Sequence, residues 1–155
     1  MIFLLPSGGK IPDGFGVLTA PNHRGIPAGI VAGKAWAADL GCIEGPDFVK
    51  RYQPDKTAQW LDMMAAFRDT CLFIPSPDYV GDATKTLRAF RTFRDWPMAF
   101  IAQDGQEALD FPPANKWVAL FVGGSSEWKM SGGAIECIQR AQALGKHIHI
   151  GRANY

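Results

Sequence analysis

From about residue 54 onward, apolar positions recur in two alternating rhythms. PDKTAQWLDMMAAFRD places Trp60, Met63, Met64 and Phe67 at helical spacing behind Pro54 and Asp55, a good helix start whose apolar face reads as core. CLFIPSPD follows as a short apolar run stopped by prolines, the pattern of a buried strand. DATKTLRAFRTFRDW predicts a second amphipathic helix, with Asp82 as its N-cap and Leu87, Phe90 and Phe93 on one side. MAFIAQDG and WVALFVGG each read as a strand ending in a turn, SGGAIECIQRAQALG as a helix closed by Gly145, and KHIHIGR as a last strand.

The first fifty residues are less regular. MIFLLPSGGK predicts a first buried strand, residues 6 to 25 are rich in Gly and Pro and read as loop, and PAGIVAG and KAWAADLGC read as two more strands. Strands that alternate with helices pair in parallel through right-handed crossovers, so the expected fold is α/β. Six or seven strands are more than half of an eight-stranded TIM barrel, which typically takes about 250 residues. The expectation is an incomplete or compact (β/α) barrel, a single domain over residues 1–155.

Composition narrows the function classes. At 155 residues and 47% hydrophobic, the chain has apolar material for one packed core. Its 16 basic and 15 acidic residues are mixed along the sequence, so any contact with nucleic acid goes through local patches. The three cysteines, Cys42, Cys71 and Cys137, are widely spaced with no C-x-x-C, which fits neither a disulfide framework nor a zinc ribbon and predicts a reducing, cytoplasmic location. No basic residue precedes the first apolar run, which is too short for a signal segment or a membrane span, so no membrane partner is expected. SGGK lacks the leading glycine, the Ser/Thr after Lys10 and the following helix of a phosphate loop, and reads as a turn.

The candidate chemistry lies at the strand ends, which in a barrel converge on one face. These positions carry Asp39 and Gly41, Asp78, Gln103 with Asp104 and Gly105, Gly123 with Gly124, and Gly151 with Arg152. Each has a plainer reading. Asp39 and Gly105 are also ordinary turn residues, and Asp78 is a possible N-cap, as Asp82 is with better reason. Gln103 can donate and accept at once, as a purine edge requires, or serve as a buried structural amide. Gly123 and Gly124 either permit a tight turn or let a ligand approach the backbone. His147 and His149 share a strand face, but with no third ligand in sight they read as packed or solvent-facing. Trp128 is either core or a stacking platform, and Glu127 and Lys129 are either pocket rim or a solvated pair.

WAADLGC, PSPDYVGDATKTL, MAFIAQDG, ALFVGGSSEWKMS and GKHIHIGRANY, in this order and at these separations, resemble the deazapurine DNA-modification transglycosylases of phages and bacteria, relatives of the tRNA-guanine transglycosylases. The resemblance covers residues 35 to 155, and AQDG and GGSSEWK are its specific part. It implies a TIM barrel that exchanges a guanine in DNA or tRNA for a 7-deazaguanine such as 7-cyano-7-deazaguanine, in the cytoplasm (the host's, for a phage protein) and with no cofactor. By this resemblance Asp39 is the proton-transfer or positioning carboxylate. Asp78 and Gln103 hydrogen-bond the base edge, and Gly123 and Gly124 supply the backbone that receives it. Two departures stand out. Asp39-Leu40-Gly41 replaces the family's Asp-Asn-Gly, and the family's nucleophilic aspartate, with any zinc site, falls beyond the strand that ends in Gly151 and Arg152. The resemblance therefore implies completion by a second chain or a homo-oligomer. The alternative is a non-catalytic base-binding or assembly subunit.

Overall fold

A computed structural model of the chain describes residues 2–21, 25–40 and 52–151. Gly41, Cys42 and Arg152 lie outside the described residues. Seven strands, β1 (Phe3–Pro6), β2 (Phe15–Thr19), β3 (Trp36–Ala38), β4 (Cys71–Pro75), β5 (Met98–Ala102), β6 (Ala119–Val122) and β7 (His147–Ile150), form one sheet. Every neighbouring pair is parallel, and the spatial order follows the chain order from β1 to β7. That order never reverses, so right-handed crossovers put all the helices on one face and the sheet curls with the other face concave. The result is an incomplete TIM-like barrel.

Period-two alternation sorts the strand residues between the two faces. In β5, Met98, Phe100 and Ala102 join Trp60, Leu61, Met64, Ala134, Cys137 and Ala141 of the helices in the larger core, while Ala99 points the other way. The concave face carries Ala37, Ala99 and Ala119 with Phe73, flanked by Leu4, Leu18 and Phe121. Alanine at three of these strands leaves room inside the curl. On the convex side Trp36 is fully buried, its ring edge-on to Trp60 and Trp96 at 5.9 Å each. Its indole N–H donates to the Phe67 carbonyl at 2.8 Å, which ties β3 to the segment after its helix.

Helices α1 (Ala28–Val31), α2 (Pro54–Met64), α3 (Ala83–Ala89), α4 (Ser126–Lys129) and α5 (Gly132–Ala143) connect the strands. Several differ from the sequence expectation. The Gly- and Pro-rich stretch read as loop contains β2, because Gly16 answers a packing need: a Cβ there would meet Leu4 Cδ2 at 2.7 Å and the Ala35 carbonyl at 2.8 Å. PAGIVAG is the short helix α1 rather than a strand, since Pro27 starts the turn and the N–H groups of Ile30 and Val31 both bond its carbonyl. β1 is an edge strand with Phe3 62% exposed, not a buried one.

Helix α2 tightens after Met64 into a 3₁₀ segment, Ala65–Thr70, and Met63 points outward instead of into the core. Helix α3 stops at Ala89, short of the expected Trp96. The Arg91 N–H leaves the helical ladder for Ser76 Oγ at 2.9 Å, and that of Phe93 for Met98 Sδ at 3.2 Å. Phe90 and Phe93 still pack on the core, from extended and turn backbone. Helix α5 and its closing Gly145, at φ +69°, match the expectation.

Candidate functional site

The carboxyl ends of β3 to β7 surround a cavity of about 650 Å³, within the range of small-molecule sites. Asp39, Asp78, Gln103, Gly123 and Gly124 all line it, so the five residues singled out in the sequence meet in one place. The cavity also touches Ile2 to Leu4 at one sheet edge and Ile148 to Gly151 at the other, which shows how far the sheet has curled. Among the described residues β1 and β7 do not pair with each other.

Backbone bonds that prolong the strand ladders fix most of these positions. The Asp39 N–H donates to the Thr19 carbonyl at 2.7 Å, the Gly123 N–H to that of Ala102 at 2.9 Å, and the Gly151 N–H to that of Val122 at 3.1 Å. Asp78 and Gln103 are 6% and 1% exposed. Gln103 Oε1 accepts from the Gly81 N–H at 3.1 Å, which orients the amide so that Nε2 donates to Asp78 Oδ2 at 2.5 Å. The amide is thus both a structural clamp and part of the cavity wall.

The two glycines have separate reasons. A Cβ on Gly123 would stand 2.7 Å from Gln103 Nε2 and 2.9 Å from Ile101 Cγ2, so glycine here makes room for the clamp. Gly124 has φ +77°, and a Cβ there would be 2.5 Å from Asp104 Oδ2. That carboxylate accepts from the Ser125 N–H at 2.9 Å and the Ser125 hydroxyl at 2.6 Å, and Ser125 Oγ caps α4 by accepting from the Trp128 N–H. Trp128 is core, with its indole N–H donating to Glu107 Oε2 at 2.9 Å. Glu127 is exposed, whereas Lys129 lines the cavity and its Nζ donates to the Gly151 carbonyl at 2.8 Å.

His149 is the residue that sequence reasoning undervalued. It is packed, with ring centroids 4.8 Å from Phe121 and 5.2 Å from Phe73, but it also lines the cavity. Burial pushes its pKa below the ordinary 6.5, and the Asp39 carboxylate pulls it part of the way back. The signal lay in the two-residue alternation of HIHI, which puts both histidines on one face of the strand, the concave one. His147, on the same strand side but at the other end, is exposed. Among the described residues no group of three His, Cys, Asp or Glu side chains is placed to hold a metal ion. No described helix is long and apolar enough to cross a membrane.

No family model, curated protein or solved structure matches this chain.

Proposed function

We propose that this cavity binds a guanine-type heterocycle and that the chain forms the base-binding part of a transglycosylase-like barrel, exchanging guanine in DNA or tRNA for a 7-deazaguanine. The observation that carries the reading is the convergence of Asp39, Asp78, Gln103, Gly123 and Gly124 on one concave cavity. A guanine edge offers adjacent N–H donors, which suit the Asp78 carboxylate, and a carbonyl, which suits a backbone or amide donor. Asp39, half-buried at the end of the neighbouring strand β3, takes the proton-transfer or positioning role.

In this reading a carboxylate attacks C1′ of the target nucleoside, the glycosidic bond breaks with its electron pair going to the base, and guanine leaves with a proton, relayed through Asp39, at the nitrogen that held the sugar. The incoming deazaguanine gives up its own proton at the equivalent nitrogen and displaces the carboxylate, which restores it. The target base first leaves its stack at a cost of about a few kcal/mol. The attacking carboxylate belongs to polypeptide that joins the outer edge of β7, which pairs with no further strand among the described residues, from a second chain, a second copy or a continuation of this one. A second reading, a base-binding or assembly subunit without chemistry, is favoured by the outer edges of β1 and β7, which among the described residues pair with no further strand and invite strand addition.

Calorimetric titration with 7-cyano-7-deazaguanine and with guanine tests the binding step shared by both. Saturable binding by the wild type is expected, weakened in Asp78→Asn with an unchanged unfolding midpoint, since asparagine still offers Gln103 an acceptor. A folded wild type that shows no saturable binding, or equal affinity in the variant, would overturn the reading.

A further inference from the structure

The cavity has a second polar end. β3 and β7 are four strands apart in the sheet order, so a flat sheet would hold Asp39 and His149 roughly 19 Å apart, at about 4.8 Å per strand. The curl brings both residues onto the lining of one cavity, where the Asp39 carboxylate favours the charged form of the imidazole. His149 is held between Phe121 and Phe73, which leaves its ring little freedom to swing. Among the described residues neither ring nitrogen has a hydrogen-bond partner. A clamped imidazole with an unused acceptor, facing a cavity, is a recognition group.

We propose that His149 and Asp39 form a second recognition station, at which a ring nitrogen of His149 accepts a hydrogen bond from an N–H of the bound heterocycle and Asp39 governs the proton on that ring. This rests on the reading of the cavity as a base site and adds a contact to it. Among the described residues the groups around His149 are few. From β6 and β4 it meets the uncharged rings of Phe121 and Phe73, and Asp39 follows β3. Asp78 and Lys129 also line the cavity, Ile2, Phe3 and Leu4 come from the β1 edge, and His147 is exposed further along the strand. Protonation turns the accepting nitrogen into a donor facing another donor. Heterocycle binding therefore weakens as pH falls through the imidazole pKa, which lies below 6.5.

The test has two arms on the whole chain. Without ligand, an NMR titration of the histidine ring protons should place His149 below the ordinary value, and Asp39→Asn should move it lower still by removing the charge that favours the imidazolium. Calorimetry with 7-cyano-7-deazaguanine at pH 7.5 and 4.5 should then show about a tenfold loss of affinity in the wild type, the factor equivalent to one hydrogen bond. His149→Gln keeps an acceptor that does not titrate, and should bind with much of that pH dependence gone. A His149 titration that ignores Asp39→Asn overturns the pairing. A His149→Gln profile identical to the wild type overturns the contact while leaving the base site standing. Absence of any binding to the folded wild type overturns the base site and the contact together, and the ligand-free arm still decides the pairing.

Discussion

Gln103 donates its amide to Asp78 across 2.5 Å while its carbonyl accepts from the Gly81 backbone, so one side chain joins the ends of β4 and β5 beneath the cavity. Both partners are buried, and taking a hydrogen bond away from a buried carboxylate is costly. Gln103→Ala should therefore destabilise the fold by about 1–3 kcal/mol. Gln103→Glu should cost more at pH 7, where two carboxylates would share the contact, and should recover stability on acidification as one of them takes a proton. Urea unfolding of the three proteins at pH 7 and pH 5 checks both statements. A Gln103→Glu variant equally destabilised at the two values would mean that the contact is not the one described.

Two glycines beside this clamp separate backbone strain from crowding. Gly105 and Gly124 both have left-handed backbone, φ +89° and +77°, but a Cβ on Gly105 meets nothing within 4 Å. Gly105→Ala should thus carry only the conformational cost, about 1–2 kcal/mol. Gly124→Ala adds a collision with the Asp104 carboxylate and with Trp128 Cε3 at 2.8 Å, and should unfold at clearly lower denaturant. Parallel denaturation curves distinguish them; equal midpoints would show that the Asp104 carboxylate moves aside freely.

Much of the barrel was legible because its strands from β4 onward are short apolar runs and its helices are amphipathic, two periods that do not resemble each other. The N-terminal part was not. The four-residue apolar run of α1 has no length over which a period can show, and the glycines around β2 look like loop residues until Leu4 and the Ala35 carbonyl are seen against Gly16. The end of α3 depends on Ser76 and Met98, which lie on other elements and capture N–H groups that the local pattern assigns to a helix. The site was legible as a set of strand-end residues, since chain order and parallel pairing suffice to bring those to one face. What sequence could not supply was the surroundings of each: that Gln103 spends both ends of its amide inside the protein, and that His149 lines the same cavity as Asp39.

The half-buried Cys71 and the buried Cys137 should be inert in the native state. Burial pushes the Cys71 thiol up to about 12 and that of Cys137 up to about 11. At pH 8 at most about one in a thousand of either is then thiolate, the form that reacts. In a Cys42→Ser background, Ellman's reagent should label the folded chain slowly and both thiols at once on adding denaturant. Fast labelling of one thiol without unfolding would place it in a looser environment than the packing around β4 and α5 indicates.

Asp82 gives the fold a pH dependence of known sign. Its carboxylate caps α3 by accepting from the Lys85 N–H at 2.9 Å and pairs with Lys85 Nζ at 2.9 Å. These contacts, the backbone bond foremost, hold its pKa below the ordinary 3.8. A carboxylate depressed in the folded state contributes stability that is fully present above the unfolded value and is lost as pH falls through the folded one. The contribution of this cap is therefore intact near neutrality and disappears below pH 3.8. Asp82→Asn keeps an oxygen for the cap and removes the titration and the charge pair, so the variant should melt slightly below the wild type at pH 7 and converge with it in acid. Thermal melts from pH 7 to pH 2.5 at low salt check this; a gap that persists unchanged at the acid end would assign the difference to something other than the ionised carboxylate.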